Sequence, residues 1–414
     1  MSLRPIAMNA RFRARVSAAA AVRMLVSAAA VVAFAAGLGA YASGRMPVGA
    51  GFGIALVAVV LVGALTRRFG IALPGAGFSS YILGVMFYAI LARGWPFAAL
   101  TAPFAMVAGD VFLRRLPLRA ALTNAAHLTS GVALAGLLYQ RIGGATGLPA
   151  LGAPNVPALA ALALVLALVV NGTFYLELAL ARTGAWANRA MTLRWEGIVT
   201  AASMGLALGW LRFTHAELAT GTAALIFAAL LGATLGSAYV IRLGVRADEL
   251  RLIQRLAQTI AGDINLARSF PRIQELTRTL VPWEHMGFAR YDPRTREMEL
   301  IVDTSMTTTG GTPFRFDADA GLTGEVVRLR QPVVARGLAR DQVVLATGGE
   351  TPGAEVLVPL YHAGQLVGIW SVRHSDPRTY RDSDGDLLNL LAPQLALMLA
   401  FESSVQPVVG ASDQ

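Results

Sequence analysis

Apolar positions follow two regimes along the 414-residue chain. Up to Ile241 they form long runs separated by short basic loops, and from Leu266 they alternate with polar residues or recur at helical spacing. About 20 consecutive apolar residues suffice to cross the hydrocarbon core of a bilayer. Met24–Gly44, Met46–Thr66, Phe69–Ala92, Ala120–Gln140, Asn155–Leu176 and Leu218–Ile241 reach that length. Gly94–Gly109 and Gly197–Leu211 are shorter, and would tilt or re-enter. Together these runs predict a transmembrane bundle of about eight helices over residues 24–241, behind a basic segment 1–23.

The loops between the runs alternate in charge. One set holds the N-terminal arginines, Arg67/Arg68, Arg114/Arg115/Arg119, Arg182/Arg189/Arg194 and Arg242/Arg246; the other holds one arginine each, Arg45, Arg93, Arg141 and Arg212. Basic loops stay on the cytoplasmic side, so the pattern predicts an inner-membrane protein with both termini cytoplasmic. The basic start, the first apolar run and Ala40-Tyr41-Ala42 also fit a cleaved leader, but the alternation that follows suits an uncleaved first span better.

The second regime predicts an α+β domain. Strands are expected over His285–Asp292 and Met298–Asp303, joined by a turn at Asp292-Pro293-Arg294-Thr295. A short helix follows over Gly321–Leu329, then a strand over Pro332–Ala335 and a polar loop over Ala339–Gly353. Glu355–Tyr361 and Gln365–Arg373 read as a hairpin, with Gly364 where the turn needs positive φ. A closing helix over Asp384–Phe401 carries the stripe Leu387, Leu391, Leu395 and Met398, and residues 403–414 form a disordered tail.

Between the regimes lies Ile241–Ile264. Leu250, Ile253, Ala257, Ile260 and Ile264 share one helical face, while Leu243, Ala247, Leu250 and Ile253 step by four, three and three, a phase break. The expectation is a short coupling helix over 242–265.

Composition sharpens this division. Residues 1–241 carry 17 arginines and 4 acids, whereas the remainder carries 18 arginines and 21 acids. The basic excess therefore belongs to loops beside lipid and argues for no nucleic-acid partner. Every basic residue is arginine, which removes a P-loop lysine, a Schiff base and a kinase-type lysine. The chain has no cysteine, which removes disulfides, thiol nucleophiles and thiolate metal sites. Asp382-Ser383-Asp384-Gly385-Asp386 lacks the glycine and acid positions of a calcium loop, and reads as helix-start acids instead. No metal site, catalytic motif or nameable cofactor emerges, so no enzyme activity is expected.

Three segments carry a family likeness: Gly321–Val334 (GLTGEVVRLRQPVV), Val356–Val372 (VLVPLYHAGQLVGIWSV) and Tyr380–Leu388 (YRDSDGDLL). Together they resemble a GAF domain over about 266–402. The likeness implies a central antiparallel sheet with helices on one face and a small-molecule pocket on the other, in a sensory or dimerising module. The membrane half, through Leu122–Leu128 (LTNAAHL), resembles multi-span sensor regions that precede bacterial signalling domains. The fold class expected is thus a membrane α-helical bundle followed by a cytoplasmic α+β GAF-like domain.

Two groups of residues are candidates for function. Phe288, Trp370, Arg336 and Arg340 are placed where an aromatic or anionic ligand could be contacted, or else supply core and solvated charge. Asn124 and His127, three apart on one helix face, can line a pocket or ion path, or simply hydrogen-bond neighbouring helices. The expected function is a membrane-anchored sensor or scaffold whose GAF domain binds a small molecule or dimerises as a homodimer, and signals to a separate output protein. A GAF-regulated transporter or channel is the alternative, and a degenerate relative of a cyclase or phosphodiesterase a third.

Overall fold

The structure is a computed structural model that describes residues 10–46, 51–73, 77–181, 189–217, 219–261, 266–304, 314–338, 352–375, 377, 379–380 and 382–405. The chain divides into two units, a helical one ending at Val245 and a sheet-containing one that begins at Arg246.

The helical unit contains α1 (Ala10–Ala42), α2 (Phe52–Arg68), α3 (Ile82–Arg93), α4 (Trp95–Ala108), α5 (Leu118–Arg141), α6 (Val156–Ala181), α7 (Arg189–Thr214) and α8 (Thr220–Ala261). Among the described residues five segments, Ala18–Ala42, Trp95–Leu113, Leu118–Arg141, Ala153–Leu180 and Thr220–Arg255, are long and apolar enough to cross a membrane. The core is built from Met86, Phe87, Leu128, Leu162, Leu166 and Leu211. Small residues set the helix spacing: at Gly84 of α3 an added Cβ would collide with the Ser203 backbone of α7.

The structure departs from the apolar runs at three places. Phe69–Ala92 is not one helix; it opens with the antiparallel strands β1 (Ile71–Leu73) and β2 (Gly77–Ser79), and α3 follows. The sequence between those strands contains Pro74, which has no amide to donate inside a helix. After α4 comes a π-helical turn, Gly109–Leu113, which carries Asp110. The short run Gly197–Leu211 extends to the 26 residues of α7, because Glu196, excluded by an apolar criterion, has a buried partner in Tyr175.

The coupling stretch forms the C-terminal part of α8, which runs unbroken to Ala261. Among its described side chains, Ile241, Val245 and Ile253 are buried, whereas Leu243 and Leu250 are exposed. Of the expected stripe, Ile253 is buried and Leu250 is exposed, and the side chains of Ala257 and Ile260 lie outside those described. Ile264 lies outside the described residues.

In the second unit, α9 (Leu266–Leu280) precedes β3 (His285–Asp292), β4 (Glu297–Asp303), β5 (Arg315–Asp317), α10 (Gly321–Leu329), β6 (Val333–Arg336), β7 (Ala354–His362) and β8 (Gln365–His374). The strands form one antiparallel sheet of order β5-β4-β3-β8-β7-β6. The β7–β8 turn has Ala363 at φ 47° and Gly364 at φ 79°, the two positive values that match the twist of a tight hairpin. The expected closing helix is two helices, α11 (Asp382–Asn389) and α12 (Ala392–Val405). Pro393 lies in the first turn of α12, where its missing amide costs no intrahelical bond, and its ring would clash with the preceding turn if α11 ran straight on. One face of the sheet packs under α9 and α12 through Phe270, Ile273, Phe288, Trp370, Leu395 and Leu399. The other packs α10 through Leu300, Leu322, Val326, Leu357 and Ile369.

Candidate functional site

Alternation along β7 and β8 decides which side chains share a sheet face. Val356, Val358, Trp370 and Val372 join the core under α9 and α12, and Leu357 and Ile369 join the opposite one. Continuing the second set along the same strands brings in Glu355, Ser371 and Arg373, where the sequence turns polar while the residues between stay apolar. These three are buried, as is Asp303 on β4.

Each of the four has a partner. Arg373 Nη2 pairs with Asp303 Oδ2, and Ser371 Oγ donates to Glu355 Oε1 at 2.6 Å. Asp303 and Arg373 lie on strands separated by β3, so the pair has to pass over it. Gly287 lies opposite both Asp303 and Ser371, and a Cβ there would sit 2.6 Å from Asp303 Oδ2. The absent side chain opens the lane that the pair occupies. Burial pushes the Glu355 carboxyl above the usual carboxylate range, against the Ser371 hydrogen bond and the Arg373 charge. Tyr380 is also raised, chiefly by burial, and its hydroxyl has no hydrogen-bond partner among the described residues.

Residues 272–400 match the family model described as GAF domain. The C-terminal unit carries a GAF domain. Similar solved structures include the GAF domain of an Acinetobacter phosphoenolpyruvate-protein phosphotransferase, at 17% identity over 38% of this chain and 96% of that one, TM-score 0.33. The GAF domain of a two-component sensor histidine kinase from Bacillus halodurans is similar at 12% identity over 34% and 98%, TM-score 0.30. Free methionine-R-sulfoxide reductase from Neisseria meningitidis is similar at 16% identity over 38% and 90%, TM-score 0.32. No curated protein matches the chain.

Within the GAF domain, the expected ligand residues do not converge. Phe288 and Trp370 are cross-strand partners whose rings stack at 5.8 Å and 1°, with Phe270 edge-on to Phe288. Both are fully buried under the helices, on the face away from the polar row, so they are core packing. Arg336, at the end of the edge strand β6, donates to Tyr380 O at 2.9 Å and Asp382 Oδ1 at 2.7 Å, which ties that strand to the start of α11. Arg340 lies outside the described residues. Sequence reasoning missed the row Asp303, Glu355, Ser371 and Arg373, of which Ser371 and Arg373 alternate with the apolar Trp370 and Val372 on β8. Among the described residues no three His, Asp or Glu side chains gather as a metal site.

The helical unit holds the second site. Asn124 Nδ2 donates to Asp110 Oδ2 at 2.7 Å. The other oxygen of Asp110 accepts from Arg67 Nε at 2.8 Å and Arg114 Nη1 at 3.0 Å, while Arg67 also reaches Ser80 Oγ at 3.2 Å. Phe78 lies beneath both guanidiniums, 4.7 Å from that of Arg67 and 3.5 Å from that of Arg114. His127 instead contacts Thr173 Oγ1 at 2.8 Å and Glu177 Oε2 at 2.9 Å, and Arg23 donates to Glu177 Oε1 at 2.7 Å. Asn124 and His127 thus share a helix face but serve different carboxylates. Tyr175 donates to a third, Glu196, at 2.7 Å. Asp110, completely buried, would be untenable in an apolar interior without those guanidiniums.

Proposed function

We propose that the chain is a membrane-anchored signalling sensor with no enzyme activity of its own. Its bundle lies in the inner membrane with both termini in the cytoplasm. Its GAF domain binds a small molecule or dimerises, and the change passes to a separate output protein. The observation that carries this reading is α8, one uninterrupted helix of 42 residues. It contributes Ile241 and Val245 to a core of the helical unit and Ile253 to the core of the GAF domain. The candidate span Thr220–Arg255 runs on in sequence towards the GAF domain, which supports a signalling role. The arginine alternation supports the orientation, and the GAF family's place in small-molecule binding and signalling supports the role.

The test is a thermal-shift screen of the full chain in lipid nanodiscs against nucleotides and common metabolites, with mass photometry for oligomeric state. Stabilisation by a ligand, or a dimer, is the expected outcome. A chain that binds nothing and stays monomeric in lipid refutes the proposal. The transporter reading draws on the buried charges of the bundle. Reconstituted flux that is lost on substituting both Asn124 and His127 would favour it.

A further inference from the structure

Strand pairing in the β1–β2 hairpin sorts its side chains onto two faces. Ile71 pairs with Ser79, Ala72 with Phe78 and Leu73 with Gly77, and residues directly across an antiparallel pair share a face. Phe78 therefore lies on the face opposite to Ile71 and Leu73. The two faces have different company. Ile71 and Leu73 are buried with Tyr81 against Val199 of α7 and against Ile241 and Val245 of α8. Phe78 lies under the guanidiniums of Arg67 and Arg114, and Ser80 Oγ, just past β2, accepts from Arg67 Nη1. The second face thus belongs to the charge centre around Asp110. Gly70 makes room for it, since a Cβ there would sit 2.1 Å from Phe78 Cζ.

Residues flanking the strands fasten α8 directly. Tyr81 Oη and Ser237 Oγ are 2.8 Å apart, and Arg242 Nη2 donates to Phe69 O at 2.8 Å. Earlier in α8, Leu225, Leu235 and Tyr239 are exposed, so its burial in the helical unit is concentrated where the hairpin meets it. We propose that the β1–β2 hairpin is the coupling element of the helical unit. The Asp110 centre holds one of its faces, and the other face holds the stretch Ser237–Val245 of α8. A rearrangement at Arg67, Asp110 or Arg114 is passed to α8 through the hairpin, because a ribbon packed on both faces transmits strain from one to the other. The inference deepens the signalling reading and rests on it for where the change goes next. The linkage itself lies within the helical unit and is tested there.

The experiment is maleimide labelling of the full chain in lipid nanodiscs, where the absence of native cysteine leaves no background. Val245→Cys, at a buried position of α8, reports release of that helix, and Leu128→Cys, in the core of the bundle, reports general unfolding. Phe78→Leu removes the ring beneath the guanidiniums, on the face away from Ile71 and Leu73. It is expected to speed labelling of Val245→Cys about tenfold while Leu128→Cys stays protected. Tyr81→Phe, which removes the contact with Ser237, is expected to act in the same direction. Combined, the two should give clearly less than the product of their separate factors, because each releases the same hairpin. Unchanged labelling of Val245→Cys in Phe78→Leu overturns the proposal, and so does a double variant that gives the full product. Should Phe78→Leu expose Leu128→Cys as well, Ser80→Ala, which removes the Arg67 contact and keeps the ring, has to produce the selective release, and its failure to do so overturns the proposal equally. Loss of the linkage would leave ligand binding or dimerisation by the GAF domain untouched, so the two readings fail separately.

Discussion

Gly287→Ala is the sharpest probe of the GAF sheet. The new methyl would lie 2.6 Å from Asp303 Oδ2 and 3.3 Å from both Asp303 Cγ and Val302 O. Backbone on one side fixes the methyl, so the carboxylate has to move, and the buried Asp303–Arg373 pair with it. Overpacking of this kind costs about 1–3 kcal/mol, and full loss of a buried pair about 3–5 kcal/mol. Replacing a strand glycine returns roughly 0.5–1 kcal/mol through reduced chain entropy. A net destabilisation of about 2–4 kcal/mol is therefore expected, measured by urea unfolding followed through tryptophan fluorescence, with Trp283 and Trp370 as the GAF reporters. The same substitution in an Asp303→Ala/Arg373→Met background should cost less than about 1 kcal/mol, since nothing is left in the lane. Equal costs in both backgrounds, or a Gly287→Ala chain as stable as its parent, would refute the reasoning.

Three further outcomes are expected. Ala363→Gly relieves a left-handed residue in the β7–β8 turn and should raise stability by about 0.5–1 kcal/mol, read as a higher urea midpoint. Glu355 is raised by burial above its unfolded value, so it withdraws stability as pH rises from the ordinary carboxylate range towards its folded value. Glu355→Gln should accordingly stabilise at neutral pH, with the gain vanishing in acid, and a gain independent of pH would contradict the burial argument. The chain lacks cysteine, so single cysteines report topology without background. In intact cells an impermeant maleimide should label Ser43→Cys and spare Leu118→Cys, and the reverse pattern would invert the orientation.

The GAF strands were legible because short apolar runs bounded by turn residues read as strands, with Gly364 marking the β7–β8 turn. The predicted bounds of β3, α10 and the β7–β8 hairpin fall within two residues of those observed. The β1–β2 hairpin was not legible: Ile71–Leu73 and Gly77–Ser79 are as apolar as a span, and an apolar run does not reveal where it folds back. The buried row was missed for another reason. A charged residue in a strand reads as solvent-facing until its neighbours across the sheet are known, and the lane over Gly287 exists only through the pairing of β4, β3 and β8. Phe288 and Trp370 show the converse, since large aromatics on alternate strand positions fit a ligand pocket and a helix-covered core equally well. In the bundle, Asn124 and His127 were visible as costly polar groups, but the acids they serve are 14 residues before and 50 residues after them in sequence.

The order of the sheet has a bearing on how such a chain would self-associate. Its outermost strands are the shortest, with three residues in β5 and four in β6. Arg315 on β5 pairs with Glu299, and Arg336 on β6 is committed to α11. Short, charged borders make poor templates for adding a strand from a neighbour. A second copy would gain little by extending the sheet, which leaves helical surfaces to carry any pairing and guards the domain against open-ended stacking.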